Sequence, residues 1–379
     1  MVFNLRTFNS PESVENDPTP PKSFSLKELQ RVTDNFSGNN YVGFFPCGKV
    51  YKGRLADGSP VAVFRASYVK LGNKKSFETE VQVGSTVSTH PNVIRLRGFC
   101  RIKNELLGVY PLMINKTLYY HLVVRPDRST RPLDWPTRKR IALGAARGLA
   151  HLHNQGNVKI MHRDICSSSI FLNEQFEAVI GNFWRALIMH DGNAKEGTIQ
   201  WPRLKHPVRV SSSSQEEESA DSDSYSLTYH LYEDVYVDTT YADGRADFIA
   251  PEYLHTGKCT LRNDVHAFGK LLLELISGKP PAKLDALAYD ENLSLEEWIG
   301  EFMNKNELGR LFDPNLQGNY VEEEEAEKVV RLALLCAHKD PSVRPEMSEV
   351  VEILESQFLQ RDSSTRSSLS LSECESTTP

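Results

Sequence analysis

The hydrophobic pattern changes period near residue 112, and that change dictates a chain built from two unlike halves. From Tyr41 to Tyr110 the apolar residues fall in short alternating runs, YVGFFPCGKVYKG, then GSPVAVFRAS after an ADG turn, then VIRLRGFC and ELLGVYPL. This two-residue period is that of half-buried strands. One stretch among them, SFETEVQVGSTVS, reads as a helix. From Leu112 onward the period lengthens. In DWPTRKRIALGAARGLAHLHNQG, Ile141, Ala145, Leu149 and Leu152 recur at helical spacing behind Asp134, an expected N-cap. Further helices are predicted at LRNDVHAFGKLLLELISG, SLEEWIGEFMNKN, EEAEKVVRLALLCAHK and EMSEVVEILES. The expected class is α+β: a small, mostly antiparallel sheet with one main helix, then a larger helical lobe.

The predicted boundaries follow composition. Residues 1–23 are Pro-rich and polar and are expected to form a flexible leader. Ser25 followed by Glu28 is a capping-box pattern and predicts a short helix from Leu26. The two lobes are expected at 24–111 and 112–360. A low-complexity acidic insert at about 190–238 and a Ser/Thr-rich tail at 361–379 are expected to be disordered.

Charge narrows the function classes. The formal charge is −6, and residues 210–240 alone hold eight acidic side chains with no Lys or Arg, so the rest of the chain is nearly balanced. No basic face for nucleic acid is indicated. The six cysteines are scattered without ligand spacing, which argues against a zinc site or a disulfide framework and for a reducing, cytoplasmic setting. The sequence shows no apolar run long enough to span a bilayer, no signal segment, and Val2 where N-myristoylation would need Gly. A soluble chain without a transmembrane segment is expected.

HRD at 162–164 and APE at 250–252 appear in order after the strand-rich lobe. With them stand FSLKELQRVTDNFS, KVYKGRLADGSPVAV, LDWPTRKRIALGAARGLAHLH, IAPEYLHTGK and RPEMSEVV. Over roughly residues 24–357 the chain resembles a eukaryotic protein kinase, and in particular the cytoplasmic domain of plant leucine-rich-repeat receptor-like kinases of the somatic embryogenesis receptor kinase type. The resemblance implies a two-lobed protein-kinase fold. It also implies the parts of phosphoryl transfer: a glycine lid, a strand lysine, two metal-holding residues and a base.

The chain departs from that pattern at almost every chemical position. The lid reads GFFPCG: Gly43 and Gly48 remain, Phe45 replaces the middle glycine and Pro46 removes an N–H donor. Phe64 occupies the position of the phosphate-binding Lys, on the strand face it shares with Ala62, while Val63 and Arg65 face the other way. Arg65 is no substitute; Lys49 could reach inward instead. Glu80 matches the helix Glu that pairs with the missing Lys and is expected to be solvated. HRDICSSS places Ser169 at the family Asn and Cys166 at its Lys, and the metal-holding Asp of DFG becomes Asn182, before Phe183 and Trp184. An amide and a hydroxyl are poor ligands for Mg²⁺, so no metal site is expected.

Other positions are kept. Asp164 holds the base position, either as a base or as a vestigial brace of the loop backbone; pairing with Arg245 is a further expectation. Val50 and Ala62 match the upper jaw of the adenine pocket, Glu252 and Arg344 match the ion pair that fastens the APE segment, and Asp264 matches the brace of the HRD backbone. Gly84 replaces a bulky residue expected to pack on Phe183.

Losing the Lys and both metal ligands at about 3 kcal/mol each would cost about 9 kcal/mol of transition-state stabilisation, and even half of that ends useful turnover. The expectation is a pseudokinase with no cofactor, serving as a binding or allosteric module in receptor-kinase signalling. Expected partners are membrane receptor kinases or their substrates, which could recruit the chain to the plasma membrane. Two alternatives stay open: an atypical Ser/Thr kinase using ATP with Mg²⁺, and a decaying co-receptor duplicate. Ser211 to Ser214, beside three glutamates, are candidate phosphorylation sites.

Overall fold

The computed structural model describes residues 20–45, 48–66, 71–102, 105–124, 132–155, 158–190, 198–199, 229–232, 235–238, 245–256, 259–316 and 323–370. The chain divides into two compact units, Met1–Leu112 and Met113–Pro379.

The first unit is a six-stranded sheet with two helices. In chain order it contains β1 (Lys22–Ser23), α1 (Leu26–Val32), β2 (Tyr41–Phe45), β3 (Gly48–Arg54), β4 (Pro60–Ala66), α2 (Leu71–Thr86), β5 (Gly98–Ile102) and β6 (Glu105–Pro111). The strand order is β1-β5-β6-β4-β3-β2, antiparallel except for the β1–β5 pair. α1 begins where the capping box predicts, with Ser25 Oγ accepting from the Glu28 N–H and Glu28 Oε2 accepting from the Ser25 N–H at 2.7 Å. Its Leu29 is fully buried with Val61, Val63, Leu107 and Val109. That cluster fixes which face of the sheet carries the core. Lys22 and Ser23, at the end of the expected leader, join the sheet: the Arg97 and Phe99 carbonyls accept from the backbone N–H groups of Lys22 and Phe24.

The second unit is mainly helical. α3 (Trp135–His153) starts at Asp134, whose Oδ1 accepts from the Thr137 N–H at 3.0 Å, and its predicted stripe Ile141, Ala145, Leu149 and Leu152 is fully buried. Short strands follow: β7 (Val158–Met161), β8 (Ile170–Leu172), β9 (Ala178–Ile180) and β10 (Leu187–His190), paired as β7–β10 and β8–β9. β11 (Thr198–Ile199), β12 (Tyr229–Tyr232) and β13 (Val235–Asp238) lie within the insert expected to be disordered. β12 pairs antiparallel with β13, and β11 pairs antiparallel with a later strand. Ser211 to Ser214 lie outside the described residues.

α4 (Pro251–Thr256), β14 (Cys259–Thr260) and α5 (Leu261–Ser277) come next, followed by α6 (Pro281–Asp290), α7 (Leu295–Asn304), α8 (Glu323–Cys336) and α9 (Met347–Ser370). α5 packs on α8 and α3 on α9. α6 is absent from the sequence expectation; Pro281 sits at its first helical position, where no N–H is needed. α9 extends as far as Ser370: no residue from Met347 to Ser370 is Gly or Pro, and the first turns are anchored, with Val350 and Leu354 buried and Arg147 bonded to Glu355.

One ion pair fastens α4. Arg344, wholly buried, donates to both Glu252 oxygens at 2.7 and 2.8 Å and to the carbonyls of His338 and Lys339, while Asn263 on α5 donates to the same carboxylate. Truncating one partner of such a pair leaves a buried charge uncompensated. Arg344→Ala is therefore expected to lower unfolding stability by about 3–5 kcal/mol, read from urea denaturation midpoints.

Candidate functional site

Phe64 lies on the sheet face opposite the Val61 and Val63 core. By strand register Val50 and Gly108 stand beside it and Tyr110 stands beside Ala62, so these residues share one face. Phe64 is only 7 % exposed. Burying such a ring is worth about 1.5–3 kcal/mol, and a Lys at this position would surrender it. The ring fits because its neighbour lacks a side chain: a Cβ on Gly48 would lie 2.6 Å from Phe64 Cζ. The second lid glycine thus serves as the slot for the aromatic ring. Gly43 lies in register with Val50 across the hairpin, and the side chain of Phe45 lies outside the described residues.

Arg65 points the other way, donating to Glu105 through Nε at 2.9 Å and stacking over Phe36 at 4.4 Å. Lys49 is in register with Arg65 and is exposed, so its side chain leaves from that same opposite face and does not replace a Lys at position 64. Glu80 is not solvated, contrary to expectation. It is 2 % exposed and accepts a hydrogen bond from the Tyr110 hydroxyl at 2.9 Å. A phenol on β6 meets the carboxylate that the resemblance pairs with Lys. The space a side chain at Gly84 would need is already filled, since a Cβ there would lie 2.6 Å from Leu96 Cβ.

In the second unit the loop between β7 and β8 is built around Asp264 of α5. Its carboxylate accepts from the backbone N–H of His162 at 2.7 Å and of Arg163 at 2.8 Å, and lies 3.0 Å from His153 Nε2. Burial works to raise its pKa, but His153, His162 and these bonds hold it below the usual carboxylate range. The brace secures a strained turn, because Arg163 has φ 64°. The Arg163 guanidinium is engaged by the Tyr253 hydroxyl at 2.6 Å and the Arg185 carbonyl. His162 is a neutral imidazole: burial lowers its pKa, Nε2–H donates to the Gly181 carbonyl and Nδ1 accepts from the Asp164 N–H.

The three positions that the resemblance assigns to base and metal come together here. Asn182 Nδ2 lies 3.0 Å from Asp164 Oδ2 and 3.4 Å from Ser169 Oγ, and the Ser169 hydroxyl donates to the Asp164 carbonyl at 2.6 Å. Cys166 is buried, its sulfur 3.0 Å from Ser168 Oγ. Phe183 is buried beside the His162 ring at 5.2 Å, and Trp184 is half-buried. The side chain of Arg245 lies outside the described residues.

The protein kinase domain family matches residues 38–246, more than half of the chain, and the protein tyrosine and serine/threonine kinase family matches residues 222–354. The chain belongs to the protein kinase family. LRR receptor kinase SERK2 of Oryza sativa subsp. japonica is 37 % identical to this kinase-family chain over 340 residues, covering 89 % of the chain and 48 % of that protein. A probable LRR receptor-like serine/threonine-protein kinase of Arabidopsis thaliana is 38 % identical over 340 residues with the same shares, and another is 37 % identical over 336 residues, 88 % of the chain and 47 % of that protein. The chain spans about half the length of these curated relatives. The chain has the sheet-rich N-lobe and helical C-lobe of the kinase domain.

The family uses ATP with Mg²⁺. The residues present do not fit the metal: the group between Asp164 Oδ2 and Ser169 Oγ is an amide nitrogen that carries hydrogens, whereas Mg²⁺ demands an octahedron of oxygens. Among the described residues no three His, Cys, Asp or Glu side chains gather as a metal site.

Beneath the catalytic loop, sequence reasoning missed Glu274. It is buried in α5, its Oε1 accepts from the Ser167 hydroxyl at 2.9 Å, and its Oε2 has no hydrogen-bond partner among the described residues. Burial pushes its pKa up to about 8. From its ordinary value upward the folded chain binds this proton more tightly than the unfolded chain, so the group's contribution is full at low pH and declines as pH rises towards 8. Glu274→Gln is expected to remove a decline of up to about 1.4 kcal/mol per pH unit, measured as urea midpoints between about pH 5 and 8.

Proposed function

We propose that this chain is a catalytically inactive receptor-like kinase that acts as a binding or allosteric module in receptor-kinase signalling. The observation that carries the reading is Phe64, a buried ring seated on Gly48 where the family places its phosphate-binding Lys. A cation, two ligand oxygens and part of the glycine lid are replaced together, and the residues that hold the fold, Asp264, Glu252 and Arg344, keep their bonds. The polarity of Lys49 and Arg65 also weighs against an atypical kinase, since both side chains leave the strand face opposite Phe64.

The relatives are named receptor kinases, which favours membrane receptor kinases or their substrates as partners and a cytoplasmic module brought to the membrane by such a partner. Among the described residues no helix is long and apolar enough to cross a membrane.

A thermal-shift titration with ATP, with and without Mg²⁺ or Mn²⁺, tests the reading beside Phe64→Lys. No shift is expected for the natural protein, because a ligand that does not bind the folded state cannot stabilise it. Phe64→Lys is expected to melt lower, by about 3 °C or more, with no gain of metal-dependent ATP binding while Asn182 and Ser169 remain. A metal-dependent shift in the natural protein, with phosphate transfer that is lost in Asp164→Asn, would overturn it.

A further inference from the structure

We propose that the Asn182 amide takes the place of the divalent cation: its N–H groups hold Asp164 and Ser169 together, and the centre is complete without metal. The inference rests on the non-catalytic reading above and concerns how the same site keeps its shape.

The amide orientation follows from its neighbours. The Asn182 Nδ2–H donates to Asp164 Oδ2 at 3.0 Å. Ser169 spends its one hydrogen on the Asp164 carbonyl and therefore offers a lone pair to the same nitrogen at 3.4 Å. The carboxylate at the base position and the hydroxyl at a metal-ligand position thus face the hydrogens of one NH₂ group. A cation placed there would meet the positive end of that group.

Both sides of this contact are held independently. The Gly181 N–H donates to the Ser169 carbonyl at 3.0 Å, and the Gly181 carbonyl accepts from His162. Asp264 fixes the backbone of His162 and Arg163 just before Asp164. Asn182 itself has φ 72°, a region that Asn enters more easily than most residues. The amide therefore reaches Asp164 from a backbone already set, and needs no ion to draw the two segments together.

The test uses the full chain and Mn²⁺ alone as the probe. Thermal unfolding is measured in EDTA and in Mn²⁺, and the free Mn²⁺ signal is followed by electron paramagnetic resonance, for the natural protein, Asn182→Asp, Asn182→Ala and Asp164→Asn. The natural protein is expected to melt at the same temperature in both, with no bound Mn²⁺ that depends on Asp164. Asn182→Asp sets two carboxylates against each other, and is expected to melt about 3 °C or more lower in EDTA and to regain at least half of the loss in Mn²⁺. Asn182→Ala is expected to melt lower in both conditions.

Bound Mn²⁺ in the natural protein that disappears in Asp164→Asn would overturn the inference. So would an Asn182→Asp protein as stable in EDTA as the natural one, or an Asn182→Ala protein that loses nothing. If Asn182→Asp does not fold in either condition, the natural protein and Asn182→Ala decide by the same criteria. Mn²⁺ binding without phosphate transfer would remove this inference and leave the non-catalytic reading; phosphate transfer from ATP would remove that reading instead.

Discussion

A single buried carboxylate, Asp264, sets the position of everything that follows it in the catalytic loop. Two consecutive backbone N–H groups and an imidazole converge on it, and a buried charge is tolerable only when it is met in this way. The bonds hold Arg163 in its left-handed conformation, and that turn delivers Asp164, Cys166 and Ser169 to their places. None of this depends on phosphoryl transfer. The scaffold and the chemistry of a kinase rest on different residues, and one set can change while the other is retained.

The changed positions in the two units follow different physics. In the first unit an apolar ring replaces a cation and occupies the space above a glycine. In the second unit polar residues remain polar and bond to Asp164, the Asn182 amide to its carboxylate and the Ser169 hydroxyl to its backbone carbonyl. In both, the carboxylate next to the substitution has a donor: Tyr110 for Glu80 and Asn182 for Asp164. The replacements therefore avoid the cost of stranding a buried acid.

Features governed by residues close in sequence were legible beforehand. Ser25 with Glu28 and Asp134 with Thr137 are bonds across three residues, and they start α1 and α3 where the pattern says. The face of Phe64 was legible too, because strand alternation needs no partner. The burial of Glu80 was not, since its donor lies thirty residues away on β6 and only the strand register reveals that Tyr110 shares its side. Composition does not report where elements end: a polar stretch does not forbid a helix already nucleated by a buried first half, and Lys22 becomes a strand through the edge of β5. The identities of Ser169 and Asn182 could be read from their motifs, but their bond to each other is a fact of three dimensions.

The seating of Phe64 bears on how such a chain can change over generations. With the ring in the slot at Gly48 and Glu80 bonded to a phenol, an ammonium introduced at that strand position would enter a space shaped for a ring, and Glu80 would already be engaged. Several residues would have to change together for a Lys at position 64 to be tolerated. These positions form a correlated set, in which the residue tolerated at one is decided by what its neighbours already occupy.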